Sequence, residues 1–409
     1  MNSKYRLLSL AALFAIISFT AKAQDQALIY GTITTIDGEQ YTGQIRWGDE
    51  EAIWTDLFNG TKEDNDNYKY LTRDDRDALK DKKREMRRSW GNSWVSWSSS
   101  DYETTHEFQA RFGDISKIEI NRRSEVKMTM RNGETIYVED GSNDFNTTVH
   151  VMDAELGKTS FRWSRIESVE FTETPKNLSE KLGEAMYGTV EFYGGSYTGF
   201  IQWDHDERLS TDILDGDTKD GDLKIEFGKI KSIEKERGGS NVVLNSGREM
   251  YLRGSNDVNS ENRGIIVTTE FGRVDITWRD FEKVTFSEVP SNAPGYDAYS
   301  DMKQLSGTVT TVNGETLTGR IIFDLDEEYN FEMLQGNDDD IEYILPMEHI
   351  ASVAPKNYDY SEVMLKNGEK LVIGDARDVS EDNDGVLVFT GSGDPKYVIW
   401  EDIEIIKFN

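Results

Sequence analysis

The chain has 409 residues, with 77 aspartates and glutamates against 46 lysines and arginines, a net charge of -31 and no cysteine. That balance excludes nucleic-acid binding, because phosphate contacts need clustered Lys and Arg. The missing thiols exclude disulfides, thiolate metal sites and a lipoprotein anchor on an N-terminal cysteine, so the fold has to rest on core burial.

Residues 1–23 read as a signal peptide. Lys4 and Arg6 precede an apolar run from Leu7 to Phe19, and Ala21-Lys22-Ala23 puts small residues where a signal peptidase reads them. A membrane span takes roughly twenty apolar residues, and this run is shorter. Cleavage before Gln24 is expected, which places the mature chain outside the cytoplasm; a buried N-terminal helix is the competing reading. No other segment has the length of a span, and the mean hydropathy is -0.64.

The rest of the chain is a threefold repeat. Gly31-Thr32-Ile33, Gly188-Thr189-Val190 and Gly307-Thr308-Val309 open three segments that each reach a Thr-Gly step at Gly43, Gly199 or Gly319. An aromatic and acidic turn follows at Trp47 to Glu51, Trp203 to Glu207 and Phe323 to Glu327. Next come Asp56, Asp212 and Glu332, each four residues before Gly60, Gly216 or Gly336. The second halves match too. Gly141-Ser142-Asn143-Asp144 and Gly254-Ser255-Asn256-Asp257 correspond to a looser segment ending at Asp378, and the closing strands begin near Trp163, Trp278 and Trp400.

Each half carries a tight turn: Asp37-Gly38, Gly194-Gly195 and Asn313-Gly314 in the first halves, and Asn132-Gly133, Ser246-Gly247 and Asn367-Gly368 in the second. Hairpin turns need positive φ at their centre, which Gly and Asn supply. With the alternation of segments such as Val126 to Met130, this predicts an all-β chain. Repeat 1 is expected over 24–174, repeat 2 over 175–290 and repeat 3 over 291–409, with prolines at the joins. Each repeat is expected to be a pair of barrels of about 55 residues, the size of a small barrel domain. A six-bladed β-propeller is the alternative.

The run from Val363 through Asn367-Gly368-Glu369 to Leu371, then Leu387 to Phe389 and Tyr397 to Ile403, resembles SH3-like or Sm-like barrel modules of secreted bacterial proteins. One such module is the short domain preceding the membrane barrel in periplasmic salt-stress-induced outer-membrane proteins. The resemblance implies a fold and carries no catalytic residues; no membrane barrel follows here, and nothing suggests the RNA binding of true Sm proteins.

Repeat 1 also holds an insertion at about 62–104, since Gly31 to Ile115 is twice as long as Gly188 to Ile230. Its Arg73 to Arg88 segment has eight basic and five acidic residues and no Gly or Pro, so it is expected to be helical and locally positive. Trp90, Trp94 and Trp97 follow. With Arg84, Arg87 and Arg88 they form the candidate partner-binding set, for a protein, a glycan or the cell envelope. The competing reading is a helical lid neutralised by the chain's own acids.

Other chemistry is sparse. The four histidines, His106, His150, His205 and His349, lack metal-ligand spacing to one another, and there is no Gly-x-Ser-x-Gly elbow or phosphate loop. No cofactor is expected. Structural calcium is weighed at Asp204-His205-Asp206-Glu207, at Asp324-Leu325-Asp326-Glu327, and at two segments that resemble EF-hand loops, Asp215 to Gly221 and Asp382 to Gly385. The reading is a non-enzymatic extracytoplasmic binding or scaffold protein; the alternative is a secreted hydrolase using paired carboxylates.

Overall fold

The computed structural model describes residues 23–62, 66–89, 106–139, 141–391 and 393–409. The signal-peptide reading of the leader and the tryptophans Trp90, Trp94 and Trp97 therefore lie outside the described residues, Ala23 excepted. Among the described residues no helix is long and apolar enough to cross a membrane.

The chain is all-β, with a single α-helix among the described residues. The first repeat contributes β1 (Tyr30–Thr35), β2 (Gln40–Trp47), β3 (Leu57–Lys62), β4 (His106–Arg111), β5 (Ile115–Arg122), β6 (Glu125–Met130), β7 (Thr135–Glu139), β8 (Thr148–Asp153), β9 (Gly157–Arg162) and β10 (Ile166–Phe171). The glycines of all six predicted turns, Gly38, Gly133, Gly194, Gly247, Gly314 and Gly368, have positive φ, between 82° and 116°. That is the conformation a side chain disfavours and glycine accepts.

Strand pairing makes the whole repeat the structural unit. The hairpin β1–β2 from the first half lies between β10 and β8 from the second, so the ten strands run in the order β4-β3-β7-β6-β5-β10-β1-β2-β8-β9. The two sequence halves of a repeat therefore interleave rather than each closing on its own strands. This order is also not the sequential meander of a propeller blade.

The repeats share their register. Gly31 pairs Gly43 and Phe171; Gly188 pairs Gly199 and Phe286; Gly307 pairs Gly319 and Phe408. The Thr-Gly glycine is required by close approach. A Cβ on Gly43, Gly199 or Gly319 would overlap the backbone carbonyl of Met152, Thr268 or Phe389 on the neighbouring strand.

Alternating strands bury one face. In each repeat the core is braced by an edge-on aromatic pair: Trp47 on Trp163, Trp203 on Trp278 and Phe323 on Trp400, with centroids 5.9–6.0 Å apart. Trp47 and Trp203 also donate their indole N–H to the carbonyls of Asp144 and Asp257, both at 2.9 Å. The recurrent aromatic residues are thus core.

The repeats close on one another. Arg273–Ile276 pairs antiparallel with Ile341–Pro346, which joins the second and third repeats in one sheet, and one apolar core runs through both. The segment joining these repeats turns back onto the first, where Tyr296 packs on Trp54 with centroids 4.4 Å apart. The insertion crosses to the third repeat. Its helix α1 (Arg73–Ser89) buries Leu79 in a cluster with Leu71, Ile322, Leu325 and Leu387, while Lys82 pairs with Glu401 and Lys83 with Asp384, both at 3.0 Å. This described part of the insertion acts as a strap neutralised by the chain's own acids. Arg84, Arg87 and Arg88 follow on the same helix, with side chains outside the described residues.

Candidate functional site

Three acidic positions recur in each repeat, and the fold gives each a distinct task. The first is Asp56, Asp212 and Glu332. Each accepts two backbone N–H groups from the preceding turn; for Asp56 these come from Ala52 at 2.7 Å and Ile53 at 2.9 Å. Each also takes a cation from another repeat. Arg208 reaches Asp56 at 2.5 Å, Arg46 reaches Asp212 at 2.6 Å, and Lys62 reaches Glu332 at 2.9 Å.

The second position is Asp144, Asp257 and Asp378. Each accepts the backbone N–H at the start of a first-half strand, from Asn59 at 2.8 Å, Asp215 at 2.6 Å and Gln335 at 2.7 Å. The third is Glu51, Glu207 and Glu327, whose carbonyls accept the N–H of Trp47, Trp203 and Phe323 at 2.8–2.9 Å.

Burial makes the second and third positions reluctant to ionise. Desolvation pushes Asp144 and Asp257 up to about 6 and Asp378 up to about 7. Desolvation, followed by repulsion from the facing aspartate of the same repeat, pushes Glu207 up to about 9 and holds Glu51 and Glu327 well above the carboxylate range. The folded chain therefore binds more protons than the unfolded chain above the ordinary carboxylate values of about 4. Stability is expected to fall as pH rises through the window from there to about 9, read as melting temperature at about pH 5, 7 and 9. Glu207→Gln should flatten the upper part of that fall, which overall charge repulsion would leave steep.

The third repeat presents its acids to a cleft of about 400 Å³ shared with the first. Among the described residues its lining holds eight carboxylates, from Glu107, Asp324, Asp326, Glu327, Glu332, Glu342, Asp375 and Asp378, against the two cations Lys62 and Arg377. Lys62 pairs with Asp326 at 3.0 Å as well as with Glu332. Burial works against its charge, but these carboxylates outweigh burial and hold the ammonium above the usual lysine range. Arg377 binds Asp324 at 2.6 Å and Asp384 at 2.7 Å. Glu327, which lines this cleft, is 8% exposed, and its Oε2 is buried with no hydrogen-bond partner among the described residues. A second acidic cleft, between the first two repeats, is lined by Glu50, Glu51, Asp206 and Glu207, with Arg46 as the only lining cation among the described residues.

The calcium candidates are otherwise engaged. Asp215 to Gly221 lies in a regular hairpin, Ile213–Thr218 with Gly221–Glu226, and Asp384 is taken by Arg377, Lys83 and the Tyr68 hydroxyl. Among the described residues no three His, Asp or Glu side chains are placed to hold a metal ion. The three histidines with described side chains do not converge: His150 bonds Ser160 at 2.7 Å, His205 meets Asp275 at 3.0 Å and His349 lies beside Glu348.

The convergence of Lys62 on Glu332, 270 positions away, has no local sequence signal. Asp378 did carry one, its alignment with Asp144 and Asp257.

No protein-family model matches the chain, and no curated protein matches it. A solved streptogramin B lyase structure aligns with 73% of this chain and 94% of its own at 12% identity, with a TM-score of 0.12.

Proposed function

We propose that this chain is a non-enzymatic binding protein acting outside the cytoplasm, and that the cleft between its first and third repeats takes a cationic group of its ligand. The observation that carries this reading is the excess of carboxylates over cations in that cleft, with the Glu327 Oε2 buried and unpartnered beside them. A bound cation takes the place of the proton that Asp378, pushed up to about 7, retains near neutrality, so binding strengthens with pH and releases protons. Partner contact by Trp90, Trp94 and Trp97 with Arg84, Arg87 and Arg88 is part of the same proposal.

Isothermal titration of the full chain with spermine tests the cleft. Saturable, salt-sensitive binding is expected, with affinity rising between about pH 6 and 8 as the buried acids ionise. The Glu327→Gln, Asp378→Asn variant should weaken it at least tenfold, about 1.4 kcal/mol, and abolish the pH dependence. Equal binding by parent and variant would refute the site.

Hydrolysis by paired carboxylates is favoured by one observation, the raised pKa of Glu327 and Asp378 in a cleft. The same pair recurs as Glu51 with Asp144 and Glu207 with Asp257, so it follows the repeat rather than a single reactive centre.

A further inference from the structure

A larger cavity, about 760 Å³, lies where all three repeats meet the segment joining the second to the third. That volume falls within the range of small-molecule pockets, which favour junctions between structural units. Its character differs from that of the acidic clefts. In the lining Arg111 and Arg273 match Glu270 and Glu348 in number, so this cavity lacks the carboxylate excess of the acidic clefts; Arg111 also pairs with Asp114 at 2.7 Å and Arg273 meets Asp275 at 3.7 Å.

Its apolar wall is largely aromatic. Tyr187, Tyr197, Phe200 and Phe271 come from the second repeat and Met333 from the third. Tyr187 packs edge-on to Phe200 and Tyr197 edge-on to Phe271, with centroids 5.4 and 5.8 Å apart, which fixes flat surfaces at right angles. Offset and edge-to-face contacts of this kind suit a further ring.

The polar atoms are the telling feature. Buried polar groups in folded proteins are nearly always hydrogen-bonded. Three side chains that line this cavity carry a buried atom with no partner among the described residues, and all three can donate: the Tyr299 hydroxyl, the Thr55 hydroxyl and the Arg273 Nε–H. Tyr299 is 7% exposed, its ring lying under the Arg111 guanidinium at 4.9 Å. Thr55 and Arg273 also share a water-sized recess lined by Glu51, so these two donors lie together. Burial holds the Glu51 carboxyl well above the usual range, and Asp56, which also lines the recess, is already taken by Arg208.

We infer that this junction is a binding site for a small aryl carboxylate, its ring against Tyr197 and Phe271 and its carboxylate accepting from Arg273, Thr55 and Tyr299. The site is separate from the proposed cation cleft and does not depend on it. Arg273 also opens the strand that pairs the second repeat with the third, so an occupant bridges the repeats and should stabilise their closure.

The test uses the full chain with 8-anilinonaphthalene-1-sulfonate as fluorescent reporter and 1-naphthoate as competitor. Saturable displacement by 1-naphthoate is expected, and none by the cationic 1-naphthylmethylamine at equal concentration. Arg273→Gln and Tyr299→Phe should each weaken displacement about tenfold, the scale of a charge-assisted hydrogen bond, and Thr55→Val by less. Tyr299→Phe removes only an unpartnered hydroxyl, so its melting temperature should equal that of the parent and its loss of binding cannot be unfolding. Glu327→Gln should leave naphthoate binding unchanged, which separates this site from the cation cleft. Equal displacement in the parent and in both the Arg273 and Tyr299 variants, or stronger displacement by the amine, would overturn the assignment.

Discussion

Trp203→Ala is expected to lower the unfolding free energy by about 3–5 kcal/mol, measured by denaturant titration. Trp203 is fully buried, packed edge-on to Trp278 and to Phe281 with centroids 6.0 and 5.3 Å away. Truncation removes that contact area and leaves a cavity between strands whose register is held by near-contact glycines and cannot collapse freely. It also orphans the Asp257 carbonyl, which accepts the indole N–H at 2.9 Å. The third repeat supplies an internal control. There Phe323 takes the same place against Trp400, and the Asp378 carbonyl is satisfied instead by Asn383 Nδ2 at 3.0 Å. Asn262, the counterpart of Asn383, has an unpartnered Nδ2 in the second repeat. Trp203→Phe should therefore cost much less than Trp203→Ala, because Asn262 can take over the orphaned carbonyl.

Asp56→Ala is expected to cost about 3–5 kcal/mol, the scale of a broken buried ion pair. Its carboxylate holds two turn N–H groups of its own repeat and the Arg208 guanidinium of the next, which is 1% exposed. Removing it strands a buried charge in the second repeat and two donors in the first. Arg208→Met added to Asp56→Ala should restore part of the loss, since the two changes remove partners of one interaction and are non-additive. The counterpart pair Arg46 and Asp212 is more exposed, so Asp212→Ala should cost less through that pair.

The six hairpins and the threefold repeat were legible in the sequence because their causes are local. A turn at Gly133 or Gly368 needs positive φ, and alternation from Val126 to Met130 marks a strand with one buried face. The interleaving of each repeat was not legible. Pairing β1 with β10 joins residues some 140 positions apart, and no local pattern says whether the first hairpin closes on its own half or enters the other. The site divides in the same way. Asp144, Asp257 and Asp378 could be aligned by eye, and their carboxylates do occupy equivalent positions. Lys62, Arg273 and Tyr299 could not be picked out, because each gains its meaning from neighbours in another repeat. The acidic turns suggested ions, but the cations that meet most of them are the chain's own Arg46, Lys62, Arg263 and Arg377.

Three copies of one ten-strand module, held closed by charges handed from repeat to repeat, should behave as one cooperative body. Differential scanning calorimetry of the parent and of Asp56→Ala reads this directly. The parent is expected to melt in a single transition with equal calorimetric and van't Hoff enthalpies, while in the variant the first repeat melts ahead of the second and third, which share a core. Three separate transitions in the parent, or an unchanged single transition in Asp56→Ala, would contradict it.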